Sequence, residues 1–255
     1  TDTDKDGKPD IWGWIGWNPG WHPAWWPLLK SYGAAHFNDQ LDTCILNNAA
    51  GVQALEIMRS TWCGSKRSSP TPAGLAQLQA GTQRVFEGGL AAMDYVLSQN
   101  VTDSLKNIGD RFEMGIELYP SGPNGTWVRA GGTSYAIPVG AKNAAVGWEL
   151  IRWLTGDEEA NRLAASYEFG NPLIRLDYVL KYNAPSGPLV EKWKKIVSMA
   201  LQKVGTVCQY SIIGEYSRIC TANLEKMATC ELTAKQAADA IAAEANKLIK
   251  EKLKT

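Results

Sequence analysis

The chain has 255 residues, of which 45% are hydrophobic and 20% charged, proportions that are ordinary for a globular protein able to bury a core. The 26 basic and 26 acidic residues cancel, so the composition does not support binding to nucleic acid or to an anionic membrane surface. No apolar run is long enough to span a bilayer, and the polar, acidic start of the chain does not have the pattern of a signal peptide.

The first residues form an acidic turn that could hold one cation. Its aspartates follow the pattern D-x-D-x-D-G-x-x-D, in which alternate carboxylates converge on a hard cation while Gly7 permits a sharp turn. An EF-hand would have Glu at the twelfth position, where this chain has Gly13, and Ile11 follows the last aspartate. The two interpretations are a structural calcium site and a solvated acidic turn. The calcium ligands would be Asp2, Asp4, Asp6, Lys8 (through its carbonyl) and Asp10.

Tryptophan is unusually abundant near the amino terminus. The chain has 11 tryptophans, and six of them lie between Trp12 and Trp26. Prolines at 19, 23 and 27 interrupt this stretch, so we predict a loop with one helical turn at its end. Flat aromatic rings stack on the apolar C–H faces of sugars, and the indole N–H can hydrogen-bond a hydroxyl. The loop is therefore a candidate ligand wall, and the alternative is that its rings pack a core.

The rest of the chain is predicted to be mainly helical. Apolar periodicity predicts helices at 49–62, 72–87, 143–154, 189–204 and 217–227. Capping boxes at Thr155 with Glu158 and at Thr233 with Gln236 predict two more helices, the first ending at Gly170 and the second near residue 253. Apolar or alternating runs at 90–96, 112–119 and 131–139 predict short strands. Short strands among many helices indicate the α/β class.

The five cysteines are scattered, and none forms the C-x-x-C pair that is typical of a zinc site. Such spacing suits disulfides in an oxidising compartment. Cys44 and Cys63 flank the first long helix and could close a short loop, whereas Cys208, Cys220 and Cys230 leave one thiol over. The alternative is that the cysteines are buried as small apolar residues.

Several short motifs follow one another in a fixed order over most of the chain. Residues 86–93 read FEGGLAAM, and ELYP at 117–120 precedes GP at 122–123. Residues 131–137 read GGTSYAI, 142–155 read KNAAVGWELIRWLT, and 232–237 read LTAKQA. Together these motifs resemble the extracellular solute-binding proteins of sugar ABC importers, among them the maltose- and oligosaccharide-binding proteins.

The resemblance implies a helix-rich α/β fold of the two-lobed, periplasmic-binding-protein-like type II, with part of the N-terminal lobe lacking. It assigns residues 1–119 and 177–255 to the C-terminal lobe and 120–176 to the N-terminal lobe. It implies a monomer outside the cell or in the periplasm, tethered to the membrane surface through a segment not present here. The lobes would close over a sugar or oligosaccharide by a hinge motion, and the closed form would dock on the ABC permease subunits.

The resemblance also implies ligand contacts in a cleft between the lobes. Relatives have an aromatic contact just before the position of Trp26, a glycine turn at the cleft and a further aromatic contact near the end of the chain. They often have a Gly-Trp pair where this chain has 97–99, so Gln99 would supply a hydrogen bond instead. Each of these residues could instead serve only the packing. The expected ligand-binding residues are Trp17, Trp21, His22, Trp25, Gln99, Gly131, Gly132 and Tyr216.

Two other classes of function compete with transport. A glycoside hydrolase needs two carboxylates across a cleft, and Asp94, Glu113 and Glu117 are available, but no motif pairs them. A calcium-stabilised adhesion module would explain the acidic turn and the disulfides, but not the ordered motifs. We therefore expect a binding protein that is not an enzyme and requires no cofactor.

Overall fold

A computed structural model of the chain describes residues 10–20, 22–81, 84–130, 135–166, 176–202, 204–206 and 212–252. The chain divides into two compact units. Unit 1 comprises Thr1–Tyr95, Leu118–Arg129 and Lys203–Thr255, and unit 2 comprises Val96–Glu117 and Ala130–Gln202. The chain therefore passes from one unit to the other four times.

The described residues form ten α-helices, one 3₁₀ turn at Ser98–Asn100 and one two-stranded sheet. The sheet pairs β1 (Val128–Ala130) with β2 (Val204–Thr206). The helices are α1 (His22–Ser31), α2 (Ala49–Trp62), α3 (Pro72–Gly81), α4 (Val101–Ile108), α5 (Ala144–Gly156), α6 (Glu158–Ser166), α7 (Leu176–Tyr182), α8 (Val190–Ala200), α9 (Ile213–Ala228) and α10 (Ala234–Lys252).

Unit 1 is built around α10, which packs against α2 and α9. The predicted capping box at its start is confirmed: the Thr233 N–H donates to Gln236 Oε1 at 2.9 Å, and the Gln236 N–H donates to Thr233 Oγ1 at 3.2 Å. The buried side of α10 repeats every three or four residues and is mostly alanine, so neighbouring helices can approach closely. Its members are Ala234, Ala237, Ala238, Ile241, Ala242, Ala245 and Ile249.

Helix α1 is longer than the single turn that the sequence predicts. Pro23 stands in its first turn, where a backbone N–H has no helical acceptor, so a proline there removes no bond. Pro27 lies inside the helix and removes one hydrogen bond. Trp25 and Leu29 are 0% and 1% exposed, so burial of this apolar helix outweighs that loss.

A disulfide joins Cys63 to Cys230, with a Cα–Cα distance of 5.9 Å. The expected loop from Cys44 to Cys63 is therefore wrong: Cys44 and Cys220 are free and buried, and Cys208 lies outside the described residues. The reason is geometric. Helix α2 has 14 residues and separates Cys44 from Cys63, and a helix of that length is about 21 Å long, far beyond the Cα separation that a disulfide tolerates.

Unit 2 contains α4 to α8, with α6 packed against α5 and α7. Trp193 of α8 is 1% exposed, and its indole N–H donates to the Ser98 carbonyl at 3.0 Å. The capping box predicted at Thr155 is wrong, because the Thr155 hydroxyl donates back to the Ile151 carbonyl at 2.8 Å. Asp157 caps α6 instead, accepting the Ala160 N–H at 3.0 Å.

The three predicted strands do not form as expected. Residues 90–96 contribute one parallel bridge, between Ala91 and Trp12, and residues 112–119 form no strand. Residues 131–134 lie outside the described part, and 135–139 form no strand, while β1 ends just before them. The helix predicted at 72–87 ends at Gly81. Alternation over a few residues shows which side of a segment is apolar, but a strand also needs a partner at hydrogen-bonding distance.

The two compact units have other boundaries than the segments 1–119, 120–176 and 177–255, whose assignment to lobes stays a prediction. Residues 96–117 and 177–202 pack in unit 2, and 118–129 pack in unit 1. Helical periodicity shows which side of an element is buried, but not which neighbour buries it. The two additional crossings therefore left no signal in the pattern.

Candidate functional site

Four aromatic rings of unit 1 form a contiguous group, which we call the aromatic strip: Trp14, Trp17, Tyr119 and Tyr95. Ring centroids are 5.2 Å apart for Trp14 and Trp17, 6.3 Å for Trp17 and Tyr119, and 5.9 Å for Tyr95 and Tyr119. All three pairs meet edge to face, the arrangement that the ring quadrupoles favour. Contacts between neighbouring rings therefore hold each ring of the strip in one orientation.

Backbone contacts hold the first ring of the strip. The Trp14 N–H donates to the Ser68 carbonyl at 3.0 Å, and the Ser69 hydroxyl donates to the Trp14 carbonyl. The indole of Trp14 lies over Gly16, where an added Cβ would come within 2.2 Å of the ring. Only glycine permits this position of the ring at residue 16.

The two indoles of the strip have unused hydrogen-bond donors. Trp14 Nε1 and Trp17 Nε1 are buried and have no hydrogen-bond acceptor among the described residues. Trp17 as a whole is only 8% exposed. A buried donor without a partner costs free energy, about 1–3 kcal/mol for a polar group, and native proteins rarely leave one so. An ordered water or a polar ligand that reached these two donors would satisfy them.

Polar groups stand at the Tyr95 end of the strip. Burial raises the pKa of the Asp94 carboxyl to about 6, although that carboxylate accepts the Tyr95 N–H at 2.6 Å. Burial also raises the pKa of the Tyr95 hydroxyl, while the charge of Arg129 acts in the opposite direction. Tyr95 and Arg129 are the last residues of unit 1 before the chain crosses to unit 2, and Tyr119 is the second residue after it returns.

The expected ligand residues have different surroundings. Trp17 lies in the strip and, at 8% exposed, belongs to the same buried core as Trp25 and Tyr216, which are 0% and 1% exposed. Contact of any of the three with a ligand stays a prediction. His22 begins α1 and Gln99 lies in the 3₁₀ turn, but their side chains fall outside the described part of the chain, as do all atoms of Trp21, Gly131 and Gly132.

The core also holds a polar cluster that the sequence did not reveal. His36 Nδ1 lies 2.8 Å from the Tyr216 hydroxyl, and Cys44 Sγ lies 4.0 Å from the same oxygen. Burial raises the pKa of both free thiols, Cys44 and Cys220, so they remain protonated. His36 and Cys44 come from one part of the chain and Tyr216 and Cys220 from one turn of α9, and no motif links these two parts.

The calcium ligands expected at Asp2, Asp4, Asp6 and Lys8 lie outside the described residues, and Asp10 is partly exposed. In the part of the chain that the structure describes, no three His, Cys, Asp or Glu side chains are grouped so as to hold a metal ion. The calcium site therefore stays a prediction. Of the carboxylates considered for hydrolysis, Asp94 belongs to unit 1, while Glu117 belongs to unit 2 and pairs with Lys192 at 3.0 Å.

The sequence matches no family model and no curated protein. The structure, however, is similar to solved sugar-binding proteins. An ABC substrate-binding protein of Listeria monocytogenes in complex with cycloalternan has a TM-score of 0.75 at 15% identity, over 96% of this chain and 61% of that one. The maltose/maltodextrin-binding domain MalE of Bdellovibrio bacteriovorus, bound to maltotriose, gives 0.74 at 19% identity, over 98% and 63%. The sugar-binding protein MalE of Xanthomonas citri gives 0.72 at 15%, over 96% and 60%.

These similarities show the fold: the chain has the two-lobed, helix-rich α/β fold of MalE-type binding proteins, as the sequence predicts. The chain spans about 60% of the length of the solved relatives named here. In the described residues, no helix combines the length and the apolar character that crossing a membrane requires.

Proposed function

We propose that this chain is the sugar-binding part of an extracellular or periplasmic solute-binding protein, which captures a sugar or oligosaccharide and delivers it to the permease subunits of an ABC importer. The solved relatives named above are binding proteins, two of them with a bound saccharide. Aromatic rings and polar donors are sufficient for capture of a sugar without chemistry.

The observation that carries the proposal is the pair of unused indole donors in the aromatic strip. A sugar ring offers apolar C–H faces and hydroxyl acceptors, so one indole can stack on it while its neighbour donates to an oxygen. The ring planes of Trp14 and Trp17 lie at 65° to each other, so the edge of one ring points at the face of the other. Trp21 and His22, which follow in the predicted loop, belong to the same proposal as further contacts.

The test is calorimetric titration with maltose, maltotriose and cycloalternan, on this chain and on the complete natural gene product. We compare wild type with Trp14→Phe and Trp17→Phe, which keep an aromatic ring and remove the N–H. Loss of one hydrogen bond to a hydroxyl corresponds to about 1 kcal/mol, or a five- to tenfold weaker Kd. Trp62→Phe in α2 is the matched control, because Trp62 is buried in the same unit but lies outside the strip.

The proposal predicts saturable binding that the two strip variants weaken and the control leaves unchanged. Equal weakening by all three variants would assign the effect to stability rather than to contact. Absence of binding to every saccharide, in both the chain and the complete gene product, would contradict a sugar-binding role. Hydrolysis of any of the oligosaccharides would show that the protein is an enzyme instead.

A further inference from the structure

The Cys63–Cys230 disulfide is open to solvent on one side. Cys230 is exposed, whereas Cys63 is half-buried. Cys230 also has a φ of 67°, in the left-handed region that favours glycine, at the turn that follows α9. An exposed or strained disulfide is reduced more easily than a buried and relaxed one, because a thiolate must reach one of its sulfurs to break the bond. A thiol reductant can therefore approach the bridge from the side of Cys230.

The other half of the bridge lies at the end of α2. Cys63 directly follows the last residue of this helix, and its N–H donates to the Arg59 carbonyl at 2.9 Å. The last turn of a helix frays easily, because its carbonyls have no donors within the helix. A covalent bond at Cys63 opposes this fraying. It thereby also holds the carbonyl of Thr61, which belongs to the last turn.

The Thr61 carbonyl holds the loop that follows α2. It accepts the N–H of Ser68 at 2.9 Å and the N–H of Ser69 at 2.8 Å. These two serines in turn hold Trp14, since the Ser68 carbonyl accepts the Trp14 N–H at 3.0 Å and the Ser69 hydroxyl donates to the Trp14 carbonyl. Ser69 is 2% exposed, so water has little access to its bond. The backbone of Trp14 is thus bonded to a loop whose anchor lies two residues from the bridge.

We propose that the Cys63–Cys230 disulfide is a redox-sensitive site that controls the position of Trp14 and, through it, the affinity of the aromatic strip. In the oxidised form the bridge holds the end of α2, and the loop after α2 holds Trp14. In the reduced form the end of α2 frays, its hold on residues 68–69 weakens and the Trp14 ring moves. The effect on the ring involves residues of unit 1 alone, whereas the effect on affinity rests on the proposed function.

The reductant is a dithiol, either a protein dithiol of the same compartment or dithiothreitol. One of its thiolates attacks Cys230 Sγ, the S–S bond breaks, and Cys63 leaves as a thiolate that takes up a proton. The second thiol of the reductant then displaces Cys230, which is protonated in the same way. The reductant gives up two electrons and ends as a disulfide, while the protein gains two thiols.

Fluorine NMR of the chain labelled with 5-fluorotryptophan reports the surroundings of Trp14 without any ligand. Trp14→Phe assigns its resonance. The controls are the resonances of Trp25 and Trp193, which are 0% and 1% exposed and belong to units 1 and 2. On reduction of the folded chain by dithiothreitol, we expect the Trp14 resonance to shift or broaden while both controls stay in place. The double variant Cys63→Ser with Cys230→Ser should show the reduced spectrum under both conditions.

Calorimetric titration with maltotriose measures the effect on affinity. The reduced chain should bind about fivefold more weakly than the oxidised chain, as expected for the loss of about one hydrogen bond. Equal affinity of the two forms would overturn the control of binding. Absence of binding in both forms, together with a shift of the Trp14 resonance, would contradict the proposed function and still support the control of the ring.

The remaining outcomes concern the bridge and the ring. A Trp14 resonance that stays in place on reduction would overturn the proposal. So would a resonance that moves only together with those of Trp25 and Trp193, because reduction would then unfold the chain rather than release one ring. A bridge that dithiothreitol reduces only after urea has unfolded the chain would overturn it as well, since the disulfide would then be purely structural.

Discussion

Removing the Cys63–Cys230 disulfide should cost a large part of the stability of unit 1. The bridge joins the residue after α2 to a residue just after α9, and its two cysteines are 167 positions apart. Chain-entropy arguments give about 5 kcal/mol for closing a loop of this length in the unfolded chain. Whole domains are stable by only about 5–15 kcal/mol, so the loss is a substantial fraction of the total.

The variant is Cys63→Ser with Cys230→Ser, which adds little side-chain penalty because Cys63 is only partly buried and Cys230 is exposed. Urea unfolding is followed by tryptophan fluorescence, which reports mainly on unit 1, since eight of the eleven tryptophans belong to it. We expect a lower midpoint and a free energy of unfolding lower by about 3–5 kcal/mol.

A reducing agent supplies the control for this experiment. It should lower the stability of the wild type to that of the double variant and leave the double variant unchanged. A difference under about 1 kcal/mol between oxidised wild type and variant would refute the reasoning, because loop closure predicts several times more. Two free thiols at positions 63 and 230 in the purified wild type would also refute the reasoning, because they would show that the disulfide does not form.

Three other outcomes can be tested in the same way. Burial raises the pKa of Asp94 from 3.8 to about 6, so the folded state holds the proton more tightly than the unfolded state does. The resulting gain in stability is complete below pH 3.8 and is lost as the pH rises through 6. Asp94→Asn should therefore raise the free energy of unfolding by up to about 3 kcal/mol at pH 7 and leave it almost unchanged at pH 4. Urea unfolding at the two pH values measures this difference. A variant that is no more stable than the wild type at pH 7 would contradict the raised pKa. Tyr216→Phe removes the hydroxyl that lies 2.8 Å from His36 Nδ1 and should destabilise unit 1 by about 1–3 kcal/mol, whereas a neutral result would show that the buried cluster rearranges freely. Calcium at about 10 mM should raise the Tm, because calcium sites of extracellular modules have dissociation constants of about 0.1–1 mM and would be filled at that concentration. The double variant Asp4→Asn with Asp6→Asn should lose this rise in Tm. An equal rise in the double variant would exclude the acidic turn as the calcium site.

The sequence predicted best those features that depend on neighbours along the chain. The capping box at Thr233 and the extent of α2 follow from residues three or four positions apart, and both match the structure. The fold followed from the order of motifs rather than from any one of them. Trp17 was singled out because a cluster of tryptophans is visible in the sequence itself, and its contact with a ligand stays a prediction.

The remaining features depend on contacts between distant residues. Tyr95 and Tyr119 complete the aromatic strip, but neither stands in a motif that points to Trp17. The same holds for the Cys63–Cys230 pair, since a cysteine count allows several pairings and only the packing of α2 beside α9 selects one. Trp14 was not singled out in the sequence, because its ring contact with Trp17 and its buried indole N–H depend on the folded structure.

The packing of α10 on α2 has a consequence for biosynthesis. Helix α2 ends at Trp62, and its principal partner begins at Ala234, roughly 170 residues later. At a synthesis rate of about 5–20 residues per second, the apolar side of α2 waits about 10–30 seconds for the helix that covers it. The residues of unit 2 are synthesised during that interval, whereas unit 1 can close only after α10 has followed them. A chaperone or an export factor that holds apolar segments would therefore find α2, rather than any helix of unit 2, as its most persistent target.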